Sequence, residues 1–277
     1  MKKTILQYMK IAAVYIGEQI THISVTDSSP HNNSGFLSVN SIFLFKEPRY
    51  FADRLKDLLE SKSIFERNSF DLLVFCLNDS FDKNSNKLIH NEDLDYLSYS
   101  SSFDGFDFNS NFNEFLKSDG QIKLLSYFEV FSNCDLNFYN SKPTIEPSAV
   151  LLLYKDYQCG FISEDGSTEI FDLDLENNKS LSDYLGDEAI FNIVNEPVNK
   201  ITYEYTERIK YVLGKLILKA HSKEYVFRKI KIIVDGIGII NQNKIELRDF
   251  EIESIQPFFT RAMFGISNVL SVPIIVI

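Results

Sequence analysis

Gly236 and Gly238 stand in residues 229–241, KIKIIVDGIGIIN, directly after the apolar run 230–234. Glycines placed there let backbone N–H groups come close to phosphate oxygens, because no Cβ stands between them. The chemistry this allows is a ligand loop at the carboxyl end of a sheet, and Gly236 and Gly238 are the residues the sequence nominates for binding. A glycine pair is also a short motif that serves a close strand-to-helix turn. Asp235 would meet a ligand hydroxyl in the same loop. Asp79 follows the apolar run 70–77, where α/β sheets present ligands. Either carboxylate also fits a solvated loop. Cys159 has no basic residue or helix start beside it, which reads as an inert core thiol rather than a nucleophile. Asp165-Gly166 reads as a hairpin turn. No residue is nominated as catalytic and none as a metal ligand. His22, His31, His90 and His221 show no ligand spacing with Cys76, Cys134, Cys159 or with each other.

The elements that must position these residues come in a repeated order. Residues 11–16 are continuously apolar, 17–18 can turn, and 20–26 alternate as a strand does. A third strand is expected at 36–45. Phe51, Leu55, Leu58 and Leu59 mark a helix face, and 70–77 is a buried strand. Residues 78–112 are rich in Asp, Asn and Ser, with Phe103, Phe106, Phe108 and Phe112 among them. That composition suits a long surface loop whose aromatics either anchor it or form a partner-binding patch. Residues 113–118 and 122–131 look helical, and 134–139 like a strand. The prolines in 141–147 suggest a boundary, so lobes of 1–140 and 141–277 are expected.

The second half repeats this order. Strands are expected at 149–154, 158–163 and 168–173, with a helix within 181–194. The best helical pattern in the chain follows, with Tyr205, Ile209, Val212, Leu213, Leu216 and Ala220 on one face. The strand of the opening segment comes next, then a helix at 253–269 and a final strand at 272–277. The fold class this implies is α/β, with two similar lobes around a cleft. Each lobe is a three-stranded meander followed by helix–strand units.

Composition bounds the partners. With 277 residues, the chain can fill one large domain or two medium ones. A net charge of −11 argues against a nucleic-acid or anionic-membrane partner. Three scattered cysteines make a poor disulfide framework and fit a reducing cytoplasm. The N-terminal run resembles a signal peptide in its basic start, but Gln7 and Lys10 interrupt it and no small-residue cleavage site follows. No apolar run reaches membrane-spanning length.

Two such units with glycine turns at strand ends resemble the sugar kinase, heat-shock and actin superfamily. The ordering is most similar to its ROK branch of sugar kinases and repressors. The resemblance implies a ribonuclease H-like, actin-like ATPase fold, and it also exposes departures. The family's Asp-x-Gly-Gly-Thr phosphate loop matches Tyr15, Ile16, Gly17, Glu18 and Gln19, where only Gly17 survives. The family's catalytic aspartate follows an asparagine at a strand end, before a helix. Asn140-Ser141 is the pair read against it. The second phosphate loop falls near Lys155-Asp156-Tyr157, which lacks glycine, although Gly160 and Asp165-Gly166 align. The loop with Gly236 and Gly238 stands in place of the family's adenosine loop. Phosphoryl transfer needs a metal, close backbone donors and a base. The resemblance therefore implies a non-catalytic ROK-like protein, a pseudokinase that binds a partner protein or a small ligand. Residual adenine nucleotide binding is its one expected cofactor chemistry, and a homo-oligomer fits equally. A sugar kinase using ATP through displaced residues is the alternative, and a structural or virulence-type accessory scaffold the third.

Overall fold

The structure, a computed structural model, describes residues 9–17, 20–27, 35–41, 48–60, 69–77, 81–89, 104–134, 146–153, 157–186, 198–234, 251–254, 265–266 and 269–270. Strand β1 (Lys10–Ile16) is apolar at every position after Lys10 and buried along that whole run. Such a strand belongs at the centre of a sheet covered on both faces. It pairs antiparallel with β2 (Ile20–Asp27), and β2 pairs antiparallel with β3 (Gly35–Asn40). Helix α1 (Pro48–Glu60) then returns the chain to β4 (Phe70–Leu77), parallel to β1 with Ala13 opposite Val74. A short hairpin, β5 (Phe81–Asp82) and β6 (Lys87–Leu88), precedes helix α2 (Phe108–Phe112). Strand β7 (Leu116–Ser126) closes the sheet parallel to β4, giving the order β3-β2-β1-β4-β7.

Helix α3 (Tyr127–Ser132) follows β7 without a break. The second sheet repeats the first. Strands β8 (Ser148–Leu153), β9 (Gln158–Ile162) and β10 (Thr168–Ile170) form the meander. Helices α4 (Leu181–Leu185) and α5 (Val198–Ser222) lead to β11 (Lys229–Val234), parallel to β8, and then β12 (Glu251–Ser254). The order is β10-β9-β8-β11-β12, the same pattern of meander and parallel additions. Contacts group Met1–Tyr127 with Ala262–Ile277, and Phe128–Arg261 as a second unit.

Each unit has its own core. In the first, Ala12, Val14 and Ile16 pack with Phe51, Leu55 and Phe75. In the second, Ala149, Leu151 and Ile232 meet the apolar face of α5, whose Tyr205, Ile209, Val212, Leu213, Leu216 and Ala220 are all buried, as their spacing predicts. No helix among the described residues is long and apolar enough to cross a membrane. Cys76, Cys134 and Cys159 are free and buried.

Four expectations change. The helix expected at 113–118 is a single 3-10 turn, Asn113–Phe115, that gives way to strand β7, and the helix expected at 122–131 is the end of β7 followed by α3 from Tyr127. The apolar residues from Ile122 to Phe131 pass from a strand spacing to a helical one with no turn signal between, so one period was read for two elements. The helix expected from 253 begins as β12. The strand expected at 168–173 stops at Ile170. Phe106, Phe108 and Phe112 are buried in the first core at 8%, 1% and 0% exposure, so they anchor and do not form a surface patch. Phe103, the expected strands at 134–139 and 272–277, and the lobe boundary expected at 140 lie outside the described residues, apart from Cys134 itself.

Candidate functional site

In a sheet of this kind the carboxyl ends of the parallel strands are where ligands are received. In the first unit those ends are Ile16, Leu77 and Ser126. What fills the end of β1 is a ladder of rings. Tyr15 is 2% exposed, and its ring stacks on Tyr127, also 2% exposed, with centroids 5.4 Å apart and planes at 26°. His22, across the β1–β2 ladder from Tyr15, stacks with it at 6.1 Å and 20°. Burial lowers the His22 pKa, which favours a neutral ring, and its Nδ1 lies 2.8 Å from Ser38 Oγ.

The backbone at this strand end is satisfied from within. The Tyr127 hydroxyl donates to the Ile16 carbonyl at 2.5 Å. The Ser41 hydroxyl donates to the Gly17 carbonyl at 2.5 Å and sits 2.9 Å from Thr21 Oγ1. The Gly17 N–H donates to the Ile20 carbonyl at 3.2 Å. A Cβ on Gly17 would lie 2.6 Å from that carbonyl and 3.0 Å from the Tyr15 ring. Turn closure thus accounts for the glycine, and its N–H is already committed inside the turn. Phenols here replace the hard carboxylate oxygens that magnesium prefers.

Asn140 and Ser141 lie outside the described residues. The strand end followed at once by a helix is the junction Ser126-Tyr127, at the end of the last parallel strand of the first sheet. No carboxylate stands at either position. The stacked pair therefore joins Tyr15, read against the family's acid, to the strand–helix junction at the end of β7.

In the second unit Tyr157 has φ of +48°, the left-handed region that glycine enters freely and bulky residues rarely do. A glycine-type backbone thus stands in the segment that the resemblance sets against the second phosphate loop, although the residue is an aromatic. Gly160 is fixed by packing, since a Cβ there would lie 2.0 Å from the Glu169 carbonyl. Asp165-Gly166 is the expected hairpin turn, with Gly166 at φ +81° and the Ser163 N–H donating to the Ser167 carbonyl at 3.0 Å. The Ser163 hydroxyl and the Ser167 N–H draw the Asp165 pKa down to about 2. Cys159 is 1% exposed, and burial, with the nearby Asp172 charge, pushes its thiol up to about 12. Gly236, Gly238, Asp235, Asp79 and Glu18 lie outside the described residues.

Sequence reasoning missed Tyr127, Ser41 and His22. Tyr127 stands 111 residues from the carbonyl it binds. No local pattern carries such a pairing; it needed the strand β7 to be recognised first. Among the described residues no group of three or more His, Cys, Asp or Glu side chains could hold a metal ion.

No protein-family profile matches the chain, and no curated protein sequence does. Solved structures do. A ROK hexokinase from Thermus thermophilus matches with a TM-score of 0.60 at 10% identity, over 95% of this chain and 98% of that one. A ROK family transcriptional regulator, a homologue of the E. coli MLC protein, matches with 0.61 at 10%, over 94% and 78%. An inorganic polyphosphate/ATP-glucomannokinase from Arthrobacter sp. strain KM matches with 0.55 at 10%, over 95% and 99%. Two sheets of one order, with nearly end-to-end correspondence to these structures, give the chain the two-lobed, actin-like ATPase fold of the ROK sugar kinases and regulators.

Proposed function

We propose that the chain is a ROK-fold protein that has lost phosphoryl transfer and acts by binding a partner protein or a small ligand. One observation supports this reading above others: the Tyr15–Tyr127 stack stands where a carboxylate pair would be needed. The Gly17 N–H, which a phosphate oxygen would need, is already donated to the Ile20 carbonyl. Adenine nucleotide held at Gly236 and Gly238 would then be a metal-independent residue of the ancestral chemistry. The net charge of −11 argues for protein or small-molecule partners over nucleic acid. Three free, buried cysteines favour work in the cytoplasm.

The test is ATP consumption with magnesium across a panel of hexoses and amino sugars, alongside affinity capture with the intact chain. The expected result is no turnover. General-base catalysis alone is worth about 10²–10⁴-fold, and metal and phosphate positioning carry most of the rest. Turnover of roughly one per second, abolished by Asp79→Ala or Asp235→Ala, would establish the sugar kinase with displaced residues instead. Neither turnover nor any ligand or partner would leave the accessory-scaffold reading.

A further inference from the structure

The sequence that builds a second, separate pocket is FNSNFNEF, residues 108–115. Phe108 and Phe112 are spaced by four, one helical turn, and both enter the core of the first unit. That spacing turns Asn109, Ser110 and Asn113 outward on the opposite side of α2. They face the β5–β6 turn and the early part of β7, and the space between measures about 580 Å³. The space is a shallow surface depression, largely open to solvent. The lining includes Asn86, Asn109, Ser110, Asn113, Gly120 and Gln121, and no ionisable side chain.

Two of its amides are fixed. Asn86 Nδ2 donates to the Ile122 carbonyl at 3.1 Å and to Asn109 Oδ1 at 3.2 Å. Asn109 Nδ2 donates to the Ser85 carbonyl at 3.1 Å. Asn86 itself holds φ of +53°, a strained backbone that asparagine tolerates better than most residues. The amides of Asn113 and Gln121 make no side-chain hydrogen bond among the described residues, yet both line the same space. Two anchored amides and two uncommitted ones around a neutral pocket form a set of paired donors and acceptors with no net charge.

We infer that this pocket is a binding site for a small, neutral, hydroxyl-rich molecule of the saccharide or polyol class. Phosphorylated ligands and metal ions would find no opposite charge in it. Hydrophobic ligands would have to strip water from four amides without replacing those hydrogen bonds. Vicinal hydroxyls match amides, each offering one donor and accepting in return. Strand β7 is an edge strand, but its register shifts against β4 between Phe70 and Leu72, and Asn86 caps the Ile122 carbonyl. That protection disfavours an added peptide strand. The pocket borders the first part of β7, away from Ser126, so the inference goes beyond the proposed function and does not depend on it.

The test is a titration of the intact protein with maltose, N-acetylglucosamine and myo-inositol, read by ligand-observed NMR and calorimetry. Binding in the millimolar range is expected for at least one probe, without magnesium or nucleotide. Asn113→Ala and Gln121→Ala, both at exposed positions, should each weaken it roughly fivefold, the value of one neutral hydrogen bond. Asn113→Trp should abolish it by filling the space, with unfolding unchanged. The inference is overturned if no probe binds at tens of millimolar. It is equally overturned if binding survives all three substitutions, which would place the ligand elsewhere in the molecule.

Discussion

Tyr127 carries more than its burial suggests. Its ring covers Tyr15 and its hydroxyl serves the Ile16 carbonyl. Tyr127→Phe keeps the stack but leaves that buried carbonyl one donor short, which costs about 1–2 kcal/mol. Chemical denaturation should show that loss with no change in the denaturant slope. Tyr127→Asp, which restores an acid at the strand–helix junction, should destabilise more and give no turnover, because a carboxylate there lies against an aromatic ring and not a metal. Asp165 is a different case. Its folded pKa, about 2, lies below its ordinary value of 3.8, so its contribution to stability is complete above that ordinary value and disappears as the pH falls through about 2. The group is exposed, so the effect is small and screened by salt. NMR titration of its carboxyl should place the midpoint near 2, and Asp165→Asn should remove that portion of the acid sensitivity. Cys159, with a thiol near 12, is about one part in ten thousand thiolate at pH 8. A thiol-labelling reagent should therefore reach it only as fast as the protein opens.

At the scale of elements, the strand–turn geometry favours glycine over alanine at two positions, for different reasons. At Gly160 a side chain meets the Glu169 carbonyl at 2.0 Å, so Gly160→Ala should cost about 3 kcal/mol through overpacking. At Tyr157, where φ is +48°, glycine should be the better small residue. Tyr157→Gly and Tyr157→Ala both lose the ring, but only alanine keeps the left-handed strain, so the glycine variant should unfold about 1 kcal/mol later. Elsewhere glycine is the weaker choice, so equal stabilities of the pair would show that the turn relaxes. The sequence made β1, β4, β8, β11 and α5 legible because each is long and follows one period. It misread β7, where Ile122, Leu124 and Leu125 run into Phe128 and Phe131 with no turn residue to mark the change from strand to helix. That misreading also hid Tyr127, which begins α3 where β7 ends. Phe106, Phe108 and Phe112 were legible as anchors of a loop but not as core, since their partners Phe51 and Phe75 lie far away in the chain.

For the whole molecule, the fold and the chemistry separate. The second sheet reproduces the first in order and direction with little residue identity, because a meander plus parallel strands needs only buried apolar runs and a covering helix. Catalysis depends instead on a few side chains at strand ends, and those can change while the cores remain. Tyrosines at strand ends are therefore compatible with the fold whatever they do to phosphoryl transfer. This leads to a test that does not rely on knowing the substrate. In a working kinase, magnesium and ATP act as one ligand, since the metal bridges phosphate oxygens and protein carboxylates. On the proposed reading, the stacked Tyr15 and Tyr127 leave the end of β1 without a carboxylate for the metal. Any stabilisation by nucleotide should then come from the adenosine end, near Gly236 and Gly238. It should be equal for ATP, ADP and AMP, and unchanged when magnesium is replaced by a chelator. Because stabilisation by a ligand follows RT ln(1 + [L]/Kd), a saturating ligand at a hundred times its Kd raises stability by about 2.7 kcal/mol. A rise in Tm of that size would be easily measured. If it appeared only with magnesium and ATP together, a metal–phosphate site must exist despite the tyrosine pair, and the loss of phosphoryl transfer would have to be given up.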